Sequence, residues 1–175
     1  MGYPKMYGVR MMSLGNVQEK KKVPALQCAL ESIPVEVAHQ FSAEGIGHST
    51  GYHSRVQSLL VDWLRERYNE EFWTEVLRGA GFLEKTKNEV EPFVNAYASA
   101  FTAPIMLGLF TEGGMRTKSW TVRRKYKRAV QGITDIQDIA LTMLKDFGVV
   151  PTVPTWHEFQ SAYSDDIEKM MRELV

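Results

Sequence analysis

Between residues 113 and 134 stand seven cations, Arg116, Lys118, Arg123, Arg124, Lys125, Lys127 and Arg128, and not one acid. Such a density is chemistry for polyanions. Each Lys or Arg that neutralises a phosphate releases a condensed counterion, and Arg adds a planar fork of donors that can grip two oxygens at once. Trp120 and Tyr126 are interleaved with these cations, and aromatic rings beside a phosphate-binding band can stack unpaired bases. A second basic group, Lys20, Lys21 and Lys22, stands nearer the N-terminus.

No other reactive side chains show a comparable arrangement. His48 and His53 are separated by a short stretch containing Gly51, no acid or thiol stands at a matching metal-ligand spacing, and Cys28 and His39 are isolated. The pairs Glu70-Glu71 and Asp165-Asp166 are adjacent in sequence and so diverge on a helix. His157 follows Trp156 at the start of the last helical segment. There is no phosphate-binding lysine loop, dinucleotide glycine fingerprint or Gly-x-Ser-x-Gly elbow. The expectation is a protein without catalysis, metal or cofactor.

Net charge is zero, but it is segregated. Residues 1–30 carry +4, residues 31–112 carry −6, residues 113–134 carry +7, and the tail from Asp135 carries −5. Two positive segments therefore stand on an otherwise acidic chain, and location rather than the total decides what they attract. A single cysteine, Cys28, forms no internal disulfide and points to a reducing compartment. No apolar leader is evident, and the longest apolar window, Ala96 to Phe110, is interrupted by Ser99, Thr102, Pro104 and Gly108. The expected location is the cytoplasm, without a membrane span.

The elements that must position the cations follow from periodicity. Residues 1–22 lack a period of either 2 or 3.6 and read as an extended arm, basic yet apolar enough, with Met1, Tyr3, Met6, Tyr7, Val9, Met11, Met12 and Leu14, to need a partner surface. From Val23 to Ile33, Leu26, Cys28 and Leu30 alternate with Gln27, Ala29 and Glu31, which predicts a single strand. Pro34 then opens a short helix carrying Val37 and Phe41, ended by Gly45 and Gly47. Val56, Leu59, Leu60, Trp63 and Leu64 form the clearest helical stripe, with Ser49, Thr50 or Ser54 as cap.

Beyond it, Glu70 to Arg78, Glu91 to Phe101 and Ile105 to Phe110 are helical, the last two divided by Pro104. The basic helix runs from Ser119 to Gln131 within the segment 116–131, with Trp120, Tyr126 and Val130 turned to the core. Thr134-Asp135 caps a further helix bearing Ile136, Ile139, Ala140, Met143, Leu144 and Phe147, ended by Gly148. A Val150-Pro151-Thr152-Val153-Pro154 linker leads to an acidic C-terminal helix opened by a Thr155–Glu158 capping box. The fold class expected is mainly α: an N-terminal extended arm (1–22), a single strand with two helices (23–68), and a multi-helix bundle (69–175).

The order strand, helix, glycine turn, helix over residues 23–64 resembles the ribbon-helix-helix family of DNA-binding dimers, such as the Arc repressor. The resemblance lies in Pro34 ending the strand, Val37 and Phe41 on the first helix, small residues from Gly47 to Gly51, and Val56, Leu60 and Leu64 on the second helix. It implies that two chains pair their strands into a ribbon that enters the major groove while the second helix presents its N-terminus to a phosphate. Gln27 would then face the bases, given a shifted or bulged strand, and the amides near Ser54 and Arg55 would hold phosphate.

These readings converge on nucleic acid as the partner, DNA favoured, with self-association as a dimer or a larger assembly. The expected contacts are Lys20, Lys21, Lys22, Gln27, Ser54, Arg55 and the seven cations from Arg116 to Arg128. Two other classes fit the same pattern. One is a viral nucleocapsid or filament coat subunit located in the virion, and the other is an all-helical interaction adaptor whose basic helix pairs with its own acidic tail.

Overall fold

The computed structural model describes residues 24–42 and 51–172, with residues 51–53 and 170 described by their backbone alone. The extended arm, Lys20 to Lys22 and the Gly45–Gly47 turn lie outside the described residues. Among those described there are seven helices: α1 (Pro24–Phe41), α2 (Gly51–Arg67), α3 (Glu70–Gly79), α4 (Lys87–Arg116), α5 (Trp120–Asp146), α6 (Trp156–Ala162) and α7 (Ser164–Arg172).

The core is built around α4. Every residue from Ala96 to Ala103 is buried, so for two turns no face of this helix meets water. Tyr68 stacks on Phe101 with ring centroids 4.0 Å apart, and Trp73 meets Tyr97 at 5.5 Å. The neighbours' directions can be read from their contacts. Ser32 reaches Asn95, Glu36 accepts a 2.5 Å hydrogen bond from Ser99, and Phe41 meets Phe110, so α1 runs parallel to α4. Tyr126 meets Phe110 while Phe147 meets Phe93, so α5 runs antiparallel to α4. One contiguous core includes residues from α1 to α7, and it crosses the boundary expected at residue 68.

Three sequence expectations are corrected. The segment expected as a strand is helix. Ala25, Ala29, Ile33, Val37 and Phe41 form an unbroken i, i+4 row, all buried against the core, and this row outweighs the alternation of Leu26, Cys28 and Leu30. Pro34 lies inside α1 rather than at a helix start, and the described residues contain no strand to form a ribbon.

Secondly, Pro104 does not divide two helices, since α4 passes through it. A proline in a helix interior costs about 3 kcal/mol. Burying Phe101, Ile105, Met106 and Leu109 in the flanking turns returns about 1.5–3 kcal/mol each, so packing wins. The unbroken α4 is long and apolar enough to cross a membrane, with mean hydropathy 1.4 in its most apolar window, but 78% of that window is buried among the other helices.

Thirdly, Thr134 is not a cap. Its hydroxyl donates to the Val130 carbonyl one turn earlier, at 2.8 Å, within a single α5 that begins at the N-cap Ser119 and ends before Gly148, whose φ is +74°.

The expected single C-terminal helix is broken at Tyr163 into α6 and α7, while two local features are found where the sequence places them. Val56, Leu60 and Leu64 are fully buried on α2. The Thr155–Glu158 capping box is present at both of its hydrogen bonds. The proline linker is pinned at Thr152, whose amide donates to the Tyr97 hydroxyl at 3.1 Å and whose carbonyl accepts from the Tyr68 hydroxyl at 3.3 Å.

Candidate nucleic-acid interface

The basic segment is divided between two helices. Arg116 closes α4, residues 117–119 turn the chain, and the other helical cations belong to α5, which begins at Trp120. Ser119 accepts a hydrogen bond from the Val122 amide and so fixes that start. Trp120 and Tyr126 are six positions apart, which at about 100° per residue places them roughly 120° apart around the helix. They cannot share a face. Tyr126 is buried, with its hydroxyl pKa pushed up to about 12 by burial, whereas Trp120 is 66% exposed, contrary to the expectation that both turn inward. Val130 is half-buried beside Tyr126.

On the outer face Trp120, Arg123, Arg124 and Lys127 follow the i, i+3, i+4, i+7 pattern and form one strip. The Arg124 guanidinium lies over the Trp120 ring, 4.7 Å from its centroid. Arg123 donates from Nη2 to the Thr117 carbonyl at 2.8 Å, which holds its guanidinium against the turn. Lys118, Lys125 and Arg128 are exposed beside the strip. Among the described residues Lys118, Arg123, Arg124, Lys125 and Lys127 make no ion pair with a carboxylate.

Arg116 behaves differently. Its guanidinium lies 3.0 Å from Glu168 on α7 and 3.7 Å from Glu112, and the Glu168 carboxyl is held below its usual range chiefly by the hydrogen bond from Arg116. Here the acidic C-terminal helix does neutralise a cation, as the adaptor reading expects. The five cations Lys118, Arg123, Arg124, Lys125 and Lys127 have no such carboxylate partner among the described residues.

The remaining candidates are scattered. Ser54 and Arg55, near the start of α2, line a shallow depression with Asp166 and Lys169 of α7, the helix whose Glu168 pairs with Arg116. Gln27 is exposed on α1, where its amide donates to Glu31. Its neighbour Cys28 feels the charges of Glu91 and Lys87, at the opposite end of α4 from Arg116. At ~1.5 Å per residue, Glu91 and Arg116 are roughly 38 Å apart along that helix. Gln27 and the cations of α5 therefore do not form one surface.

A groove between the last turns of α4 and the first turns of α5 was not visible in the sequence. It has a volume of about 530 Å³ and is lined by Phe110, Met115, Tyr126 and Val130, with Arg123 and Lys127 on its α5 side. The only local signal is Gly114. A Cβ there would come within 3.3 Å of the Tyr126 Cβ, so glycine permits the close helix approach that floors the groove.

Among the described residues no cluster of three or more His, Cys, Asp and Glu side chains could hold a metal. Burial and the neighbouring Glu91 raise the Cys28 thiol pKa, which favours the inert protonated form. Compared with protein-family models, curated proteins and solved structures, the chain matches none.

Proposed function

We propose that this protein binds nucleic acid without catalysis, DNA favoured, and that the N-terminal half of α5 is its contact surface. The reading rests on one observation: Arg123, Arg124, Lys125 and Lys127 are exposed together on one helix and make no ion pair with a carboxylate among the described residues. Their position sharpens the argument. They lie near the start of α5, whose first turn holds Arg123 and carries no acid against the positive end of the helix dipole. A polyanion across that face would be attracted by the four cations and, at the first turn, by the dipole as well.

The test is a titration of labelled DNA with the full chain at low ionic strength, followed by anisotropy. The expected result is saturable binding that weakens steeply as salt is added. Absence of binding at low salt overturns the proposal.

A specific feature favours a second reading on the same chain. Ile136 and Ile139, on the C-terminal half of α5, are 41% and 62% exposed, and apolar side chains at helical spacing suit contact with another subunit. Self-association through that half, with nucleic acid on the other, would make a packaging or coat subunit rather than a dimeric accessory factor. Mass measured with and without DNA separates them: a discrete dimer supports the accessory factor, and long assemblies support packaging.

A further inference from the structure

We infer that the groove between α4 and α5 seats an unpaired nucleobase, so that the protein prefers single-stranded to duplex nucleic acid. The inference rests on the nucleic-acid reading of α5. It concerns a neighbouring cavity that shares Arg123 and Lys127 with that reading and adds the apolar lining of Phe110, Met115, Tyr126 and Val130.

At about 530 Å³ the groove falls within the roughly 300–1,000 Å³ of small-molecule sites. Its floor and α4 wall are apolar or aromatic apart from Thr111 at the rim, and its charges, Arg123 and Lys127, stand on one wall only. The complementary occupant has a flat apolar body joined on one side to negative charge, which is the chemistry of a nucleotide. The Thr117 carbonyl already holds Arg123 in place, so that donor is pre-positioned at the rim. The phenol of Tyr126 stays neutral at physiological pH and brings no negative charge to face a phosphate.

Strand preference follows from access. A base within a duplex must be unstacked and unpaired before it can enter a side groove, whereas a single strand offers its bases freely. The geometry beyond the groove agrees. Trp120 lies six residues from Tyr126, roughly 9 Å along the helix axis, and is exposed with Arg124 against its ring. An aromatic platform, an apolar slot and a cationic strip in sequence are the parts that single-strand binding combines.

The experiment compares a labelled single-stranded DNA oligonucleotide with its duplex, using the full chain and two variants. Thr111→Phe fills the groove from its exposed α4 rim, and Met115→Ala trims a lining side chain that is 74% exposed, so neither disturbs the core. The inference expects tighter binding to the single strand. It also expects each variant to weaken that binding by about 5- to 150-fold, the range for losing one stacked base, while duplex affinity and the salt dependence stay unchanged. Equal affinity for both forms with silent variants overturns the inference and leaves the cationic surface standing. No binding of either form overturns the cationic surface itself. If Thr111→Phe abolishes binding of a fluorescent fatty acid and leaves the oligonucleotide untouched, the groove belongs to an anionic amphiphile and the inference fails.

Discussion

Arg116 and Glu168 join the end of α4 to α7 with an N–O distance of 3.0 Å, and this ion pair separates one cation of the basic segment from the rest. The guanidinium is engaged within the fold, while Lys127 is exposed on α5 without a carboxylate partner among the described residues. Arg116→Gln should leave the slope of log affinity against log salt unchanged, whereas Lys127→Gln should flatten it by about 0.7–0.9, the loss of one phosphate contact. Equal flattening by the two substitutions would place Arg116 among the phosphate contacts.

The same pair predicts a pH effect. Arg116 holds the Glu168 carboxyl below its usual range, so its stabilising contribution is present above the unfolded carboxylate value and is lost as pH falls through the folded one. In Arg116→Gln the carboxyl should titrate closer to its ordinary value, as followed by NMR. An unmoved titration would show that Arg116 does not set it.

Alkaline pH acts through two buried phenols. Burial pushes both Tyr68 and Tyr126 up to about 12 from an ordinary value near 10. Between those values the unfolded chain releases protons that the folded one keeps, so stability should be intact below about pH 10 and fall as pH rises toward 12. Tyr126→Phe should reduce that fall in denaturant titrations at several pH values. A stability curve identical to that of the unsubstituted chain would mean that Tyr126 titrates normally.

Gly108 matters through the residue opposite it. A Cβ at this position would collide with Cβ, Cγ and Cδ2 of Trp156, so glycine lets α6 lie directly on α4. Gly108→Ala should destabilise the fold by about 1–3 kcal/mol through overpacking, despite the higher helix propensity of alanine. A stabilised variant would show that α6 can move away freely.

Leu60 tests the best-defined stripe. It is fully buried at the centre of α2, and Leu60→Ala should cost about 2–5 kcal/mol. A loss below about 0.5 kcal/mol would place the stripe at the surface.

How far the fold was legible depended on whether one signal acted alone. The α2 stripe was readable from its period, and the Thr155–Glu158 box from its two capping residues. In α1 two periods overlapped. Leu26, Cys28 and Leu30 alternate, yet the row from Ala25 to Phe41 at every fourth residue determines the structure, and its small first members Ala25 and Ala29 carry little hydrophobic signal. Pro104 and Thr134 read as boundaries because local rules assign them so, but tertiary burial around α4 and the continuity of α5 override both. The cations of the candidate site were visible as composition. Which of them were already paired was not, because Glu168 lies 52 residues beyond Arg116. The groove needed two helix ends to meet, and only Gly114 hinted at it.

The most direct measurement of the account is the salt dependence of oligonucleotide binding by a variant in which Arg123, Arg124, Lys125 and Lys127 are all changed to Gln. If these four exposed cations carry the contact, the slope of log affinity against log salt should flatten by roughly three units, at about 0.7–0.9 per phosphate, with helicity unchanged by circular dichroism. A folded variant that retains the original slope would contradict the account and move the contact elsewhere on the chain.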